Sequence, residues 1–266
     1  MVTSPFSRDF YLYLISRFCS GTAMMMLRAA IAWYVFAIFG SAFHLGLIGL
    51  VQFILALGLM LVGGAVADTY DRRRVIMLAQ VVPLIASSLL FLATQRGAAS
   101  LPLLYTAILF VAVAAAFDNP ARAALLPTLV AREVFPRAVT IASTNQALAF
   151  VTGPAACGFV IAGAGIAAVY AVYAGLIAVA LAALAGVRSP RPDGVRRALS
   201  WHAVREGLSF VRRREVVLGC MTLDMFAVIF GGATALLPIY ANEILKVGPR
   251  GYGVLTSSLV AGALLA

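Results

Sequence analysis

Long apolar stretches recur along this sequence, and short polar segments separate them. A membrane-spanning helix needs about 20 mostly apolar residues, within a range of about 17 to 25. Seven stretches meet this requirement: Tyr11–Ile38, Leu45–Val66, Val75–Thr94, Leu101–Phe117, Val139–Ala162, Ile166–Val187 and Val216–Tyr240. An eighth begins near Tyr252 and stops at Ala266, where its helix would rise only about 22 Å, less than a hydrocarbon core of about 30 Å. The pattern predicts an all-α membrane protein whose last helix is incomplete.

The composition excludes a soluble globular protein. Hydrophobic residues make up 63% of the chain and charged residues only 11%, whereas soluble proteins carry about 25% charged residues. A soluble domain of 266 residues could not hide this much apolar surface. The three cysteines lie in different apolar stretches without metal-ligand spacing, so the sequence predicts neither a metal site nor a disulfide framework.

The net charge of +10 comes mainly from arginines between the apolar stretches. Fifteen of the twenty basic residues lie in alternate segments: the N-terminus, Arg72–Arg74, the segment with Arg122, Arg132 and Arg137, and Arg188–Arg214. Because basic loops stay on the cytoplasmic side, the N-terminus is predicted to be cytoplasmic. The sequence shows no basic helix with interleaved aromatic residues outside the bilayer, which argues against a nucleic-acid partner.

The sequence divides into three predicted parts. Residues 1–187 form an N-terminal six-helix bundle. Residues 188–215 form a cytoplasmic linker in which four apolar residues from Trp201 to Val211 recur at spacings of three, four and three. This spacing predicts an amphipathic helix on the membrane surface, with a solvated tether as the alternative. Residues 216–266 begin a second bundle with its first helix and part of its second.

A weak internal repeat supports two parallel halves. The spacing from acid to glycine is 37 residues between Asp9 and Gly46 and 38 residues between Glu215 and Gly253. Parallel repeats of this kind are typical of transporters. A second half with six helices would extend beyond Ala266, so we expect a C-terminally truncated chain.

The segment after the second span carries a recognisable motif. Gly64, Asp68, Arg72 and Arg73 match the loop signature of the major facilitator superfamily, in which a glycine precedes an aspartate and a basic pair. The two departures from that signature are Thr69 and Asp71. The resemblance implies a conformational gate formed by Gly64, Asp68, Asp71, Arg72 and Arg73. The alternative is a basic loop that only determines topology.

Two further segments resemble the same superfamily. Gly153-Pro154-Ala155-Ala156-Cys157-Gly158 is similar to the glycine–proline core of its antiporters. Residues 118–127 resemble the loop after the fourth span in its drug and siderophore exporter branch, which includes enterobactin-exporter-like proteins. The resemblance implies a multi-pass protein of the bacterial inner membrane, monomeric when full length. It assigns Gly153, Pro154 and Gly158 to a moving helix contact, with ordinary close packing as the alternative.

Charged residues within the spans are candidates for the transport pathway. Arg28 lies well inside the first span and Asp224 lies at comparable depth in the seventh. Ionisable residues are costly in a membrane and usually face a cavity or a partner. We assign Arg28, Asp224 and Asp118 to the pathway or to proton coupling. The alternative is a structural role, either as an Arg28–Asp224 pair or with each residue satisfied separately by carbonyl groups and water. The sequence identifies no substrate-binding residue.

The resemblance implies a secondary transporter that works by alternating access and exports a small amphipathic molecule, a drug or siderophore, and the acidic residues in the spans permit exchange for protons. Its partners would be the lipid bilayer, the substrate and protons. The sequence contains no phosphate-binding Gly-x-x-x-x-Gly-Lys loop and no catalytic constellation, so we expect neither an enzyme nor a cofactor. The alternative is a truncated membrane protein without transport activity.

Overall fold

The computed structural model describes residues 6–98, 100–188, 214, 216, 218–220, 222–223, 226 and 236–265, and these residues are almost entirely helical. The long helices are α1 (Arg8–Phe39), α2 (Ala42–Thr69), α3 (Arg72–Gln95), α4 (Leu101–Leu129), α5 (Phe135–Ala185) and α6 (Gly248–Leu265). A 3-10 turn at Arg132–Val134 precedes α5, and a helical turn at Leu237–Ile239 continues into a π turn at Tyr240–Ile244 before α6. The all-α membrane fold predicted from the apolar stretches is confirmed.

The helix α5 contains two spans that meet at a single residue. Gly165 adopts φ 80° and ψ 174°, a conformation that breaks a helix and that favours glycine. Residues 135–164 form the first segment, α5a, and residues 166–185 form the second, α5b. The break falls in the gap predicted between the fifth and sixth apolar stretches.

The fourth helix is longer than the sequence suggested. We expected residues 118–127 to form a loop, but α4 continues through them to Leu129, with Pro120 and Pro127 inside the helix. Proline has no N–H group, so Pro120 leaves the carbonyl of Ala116 without its usual partner. That carbonyl faces Gly63 of α2, where any Cβ atom would overlap it. The backbone of α2 therefore approaches α4 closely at the carbonyl that Pro120 leaves without a hydrogen bond, and α4 continues past this point.

The packing is that of a membrane bundle. The helix α1 packs chiefly against α5, α2 packs against α4, and α3 lies against both α4 and α5. Leu78, Ile85 and Leu89 point outward from α3, whereas Gln80 and Ser87 of the same helix are buried. Apolar outer faces with polar inner positions are expected where lipid surrounds the protein. Among the described residues, four helical stretches are long and apolar enough to cross a membrane, and the longest contains both α5a and α5b.

Several predicted features lie outside the described residues. They are Asp224, the amphipathic linker helix between Trp201 and Val211, and most of the span Val216–Tyr240.

Candidate functional site

An ion pair lies buried in the middle of the bundle. Arg122 Nε donates to Asp118 Oδ2 at 2.7 Å, and the two side chains belong to successive turns of α4. The residues are only 3% and 8% exposed, respectively. From α3, Gln80 Nε2 donates to the other carboxylate oxygen of Asp118 at 2.9 Å. The carboxylate therefore has a partner on each oxygen, as a buried charge requires.

The ion pair is connected to α1 through polar side chains. Arg122 Nη1 donates to Ser16 Oγ at 3.4 Å, and the Tyr13 hydroxyl donates to the Arg122 carbonyl at 3.2 Å. Arg17 Nη1 in turn donates to the Tyr13 hydroxyl oxygen at 2.9 Å. A continuous network thus joins α1, α3 and α4, with Arg122 at its centre.

A cavity of about 100 Å³ opens beside this network, which we call the polar cavity. Its lining comes from α1, α3, α4 and α5a: Arg17, Ser20, Gly21, Met24, Met25, Arg28, Gln80, Ala115, Asp118, Asn119, Arg122, Gln146 and Phe150. Arg28 lies eleven residues after Arg17 on α1, a rise of about 16 Å. Two of the three residues assigned from sequence to the pathway, Arg28 and Asp118, therefore line one cavity.

A second cavity of about 250 Å³ adjoins the first, which we call the apolar cavity. Its lining comes from α1, α2, α5a and α6: Met25, Arg28, Ala29, Ala32, Leu45, Ile48, Gly49, Gln52, Pro154, Tyr252 and Thr256. Met25 and Arg28 line both cavities. In the described part of the chain, Arg28 is consequently the charged residue at the boundary between a polar and a largely apolar space.

The segment between α2 and α3 has a defined local structure. Asp71 is the N-cap of α3, where its Oδ1 accepts from the backbone N–H groups of Arg73 at 2.9 Å and Arg74 at 3.3 Å. This role explains an aspartate at a position where the superfamily signature has glycine, because aspartate is among the best N-cap residues. Thr69, the other departure, donates its hydroxyl to the Ala65 carbonyl at 2.7 Å.

Arg73 connects this segment to the end of α5b. Its Nη2 donates to the Ala185 carbonyl at 2.6 Å. The last carbonyls of a helix lack partners within the helix, and they attract basic side chains. The beginning of α3 and the last turn of α5b, which directly precedes the predicted linker, are therefore held together.

Gly63 and Gly64 differ in their surroundings. A Cβ on Gly64 would meet no atom within 4 Å, whereas a Cβ on Gly63 would overlap the Ala116 carbonyl. Asp68 is exposed. The close contact between α2 and α4 thus depends on Gly63, a residue that the motif comparison did not select.

The glycines of α5a lie against two different helices. A Cβ on Gly153 would stand 2.7 Å from the Thr22 carbonyl oxygen of α1. A Cβ on Gly158 would stand 2.5 Å from the Pro249 carbonyl oxygen and 3.0 Å from Gly253 Cα, both in α6. The backbone of α5a is therefore in direct contact with α1 and α6 at positions where only glycine fits. A conformational role for these contacts stays a prediction.

Sequence reasoning missed Gln80, Arg122, Tyr13 and Arg17 as members of the site. One signal was present, since an aspartate and an arginine four residues apart lie on the same face of a helix. It was not used because residues 118–127 were expected to be a loop. In the described part of the chain, no group of three or more His, Cys, Asp or Glu residues could hold a metal ion.

The sequence matches the family described as transmembrane secretion effectors over residues 2–266. Two solved structures share the fold, both of a bacterial homolog of the human lysosomal transporter Spinster. The inward-facing, unoccupied form aligns with a TM-score of 0.74 and 18% identity, covering 99% of this chain and 61% of that one. The inward-facing, occupied form aligns with a TM-score of 0.69 and 17% identity, covering 99% of this chain and 60% of that one. The present chain thus spans about three fifths of those proteins, and no curated protein matches it.

Proposed function

Because this chain belongs to the transmembrane secretion effector family of the major facilitator superfamily, we propose that it forms the first half, and the beginning of the second, of a proton-coupled exporter of small amphipathic molecules. The exporter would work by alternating access, in which two helical bundles expose a shared cavity to one side of the membrane at a time.

The buried Asp118–Arg122 pair carries this proposal. Both residues are almost fully buried in a membrane bundle and line the polar cavity. Charges in such a position are expensive and usually belong to a substrate or ion pathway. Among the described residues that line the polar cavity, Asp118 is the one with a carboxyl group, and its protonation would release Arg122 from its partner. Proton binding and side-chain rearrangement would then be linked at one residue.

The contacts around Arg73 favour a gate at this end of the bundle, where helices would move relative to each other. We propose that the end with Asp71, Arg73 and the last turn of α5b faces the cytoplasm, in agreement with the basic segments located there. The Arg73 bond to Ala185 is at the exposed surface. Such a bond breaks and re-forms at little cost, as a gate requires.

The experiment uses acidified inside-out membrane vesicles from cells that express the natural gene product, with a fluorescent dye that reports the pH gradient. Adding a transported amphiphile, with octyl phosphate and octyltrimethylammonium as test compounds, should release protons and restore the fluorescence. Asp118→Asn should abolish this response, whereas Glu133→Gln, an exposed acid in the 3-10 turn, should leave it unchanged.

Two results would contradict the proposal. Export that needs ATP and persists without a proton gradient would exclude proton coupling. Vesicles that contain correctly inserted protein but respond to no amphiphile would favour the alternative of a membrane protein without transport activity.

A further inference from the structure

We infer that the polar cavity binds the anionic head of an amphiphile, a phosphate or carboxylate group, and that the apolar cavity holds its hydrocarbon part. This inference rests on the proposed function, because it defines the substrate class of the same site. It is carried by charge, by the three arginines that line the polar cavity and by cavity shape.

The polar cavity has a strong excess of positive charge. Among the described residues, Arg17, Arg28 and Arg122 line it together with one acid, Asp118, so the formal charge of this part of the lining is +2. Within a bilayer, water and counter-ions screen such a charge poorly. A bound anion would lower the electrostatic energy of this lining, whereas a cation would raise it further.

Each of these arginines has a buried donor atom without a protein partner. In the part of the chain that the structure describes, Arg17 Nε, Arg28 Nε and Arg122 Nη2 make no hydrogen bond. Buried polar groups without partners are uncommon, and each one calls for an explanation. These three atoms are closed to a water-sized probe and do not themselves face the cavity. The guanidinium groups to which they belong line it, and arginine binds the oxygens of a phosphate or a carboxylate with favourable geometry.

The cavity volumes separate the head of the ligand from its tail. At about 100 Å³, the polar cavity has room for a small charged group but is well below the roughly 300–1,000 Å³ of a typical ligand pocket. The adjoining apolar cavity of about 250 Å³ brings the total into that range. Its lining includes Ala29, Ala32, Leu45 and Ile48, which suit a hydrocarbon chain. A ligand that occupies both cavities would lie beside Arg28, with its charged end on the side of Asp118 and Arg122.

The first measurement compares headgroups on the unmodified protein. The natural gene product is placed in phosphatidylcholine nanodiscs, and radiolabelled octyl phosphate is displaced by octyl phosphate, octyltrimethylammonium, octanol or inorganic phosphate. We expect octyl phosphate to bind tightest, by about tenfold or more over octanol. Inorganic phosphate should bind more weakly than octyl phosphate, because it leaves the apolar cavity unfilled. Nanodiscs that also contain phosphatidylglycerol show whether a lipid headgroup competes for the site or whether the anion is a soluble amphiphile.

The second measurement uses variants. Arg28→Gln should weaken octyl phosphate binding about 10–100-fold, while Arg28→Lys, which keeps the charge, should weaken it less. Arg96→Gln removes an exposed arginine at the end of α3 and should have no effect. Neither Arg28 variant should alter octanol binding by a comparable factor, because octanol has no charge.

Equal or tighter binding of octyltrimethylammonium on the unmodified protein would overturn the inference, even if a variant failed to fold. Unchanged octyl phosphate binding in Arg28→Gln would overturn it as well, and would indicate that a protein acid such as Asp224 satisfies Arg28. Proton-coupled export of the cation alone would contradict the anion site but leave the proposed function intact. Octyl phosphate binding that depends on Arg28, without any proton-driven export, would support the anion site but contradict the proposed function.

Discussion

Removing one member of the Asp118–Arg122 pair should destabilise the bundle far more than removing both. Breaking a buried ion pair from one side leaves an unpaired charge and costs about 3–5 kcal/mol. The pair is a close match to this case, because the atoms are 2.7 Å apart and the side chains are only 11% and 4% exposed. In Asp118→Asn with Arg122→Gln no charge is left, so the double variant should recover a large part of the loss. We expect a coupling free energy of about 1–3 kcal/mol.

The two single variants should differ from each other. An arginine stays protonated in proteins, so Asp118→Asn leaves a permanent buried cation. The carboxyl group that remains in Arg122→Gln can take up a proton and lose its charge, and Gln80 still donates to it. We therefore expect Asp118→Asn to cost more in unfolding free energy than Arg122→Gln.

The chain contains a matched control pair. Asp71 and Arg74 lie three residues apart, with 3.9 Å between Oδ2 and Nε, and the arginine side chain is 83% exposed. Exposed pairs of this kind contribute about 0–1 kcal/mol. Asp71→Asn keeps the N-cap of α3, since asparagine caps as well as aspartate, so the control changes only the charge pair.

The assay is reversible unfolding in mixed micelles with increasing dodecyl sulfate, followed by circular dichroism, for the four members of each cycle. A coupling free energy below about 0.5 kcal/mol for the buried pair, or one no larger than that of the exposed pair, would refute the reasoning. It would mean that water or other groups satisfy each charge separately.

Three further predictions concern the helix contacts. Gly158→Ala should destabilise the protein by about 1–3 kcal/mol and increase the distance between labels on α5a and α6, because the new methyl group would overlap the Pro249 carbonyl. Gly163→Ala in the same segment, with no atom within 4 Å of its Cβ position, should be neutral or slightly stabilising, and equal losses for both variants would contradict this argument. Asp71→Ala should cost about 1 kcal/mol of unfolding free energy through the lost cap, and rescue by Asp71→Asn tests whether capping or charge is responsible. Arg73→Gln should speed amide hydrogen exchange in the last turn of α5b with little change in overall stability, since the bond that it removes is exposed. Unchanged exchange in that turn would show that the bond is not formed in solution.

Apolar length was sufficient to predict the membrane class and the helices α1 to α5. The limits of the prediction appear at Asp118. The resemblance to the exporter branch suggested a loop over residues 118–127, yet α4 continues through Pro120 and Pro127, and the unpaired carbonyl of Ala116 faces Gly63 of another helix. This contact joins residues more than fifty positions apart, and local sequence patterns do not contain that information.

The residues of the candidate site could likewise be predicted only in part from the sequence. Arg28 and Asp118 could be selected because charges are rare within spans. Gln80 and Tyr13 could not, since uncharged polar residues in spans usually serve helix packing and their partners lie 38 and 109 positions away. The choice between Gly63 and Gly64 depends on which of them faces α4. Motif comparison aligns positions along the chain and does not report that rotation.

The spacing of Asp118 and Arg122 also affects how α4 is inserted during biosynthesis. A nascent helix that leaves the translocon meets lipid before its later neighbours have been synthesised. Because the two charges are one turn apart on α4 itself, they can neutralise each other as soon as that turn forms. The helix then enters the bilayer as a polar but uncharged segment, and its insertion does not have to wait for a partner from another helix. A membrane protein can in this way keep a charged group inside its helix bundle without delaying its own assembly.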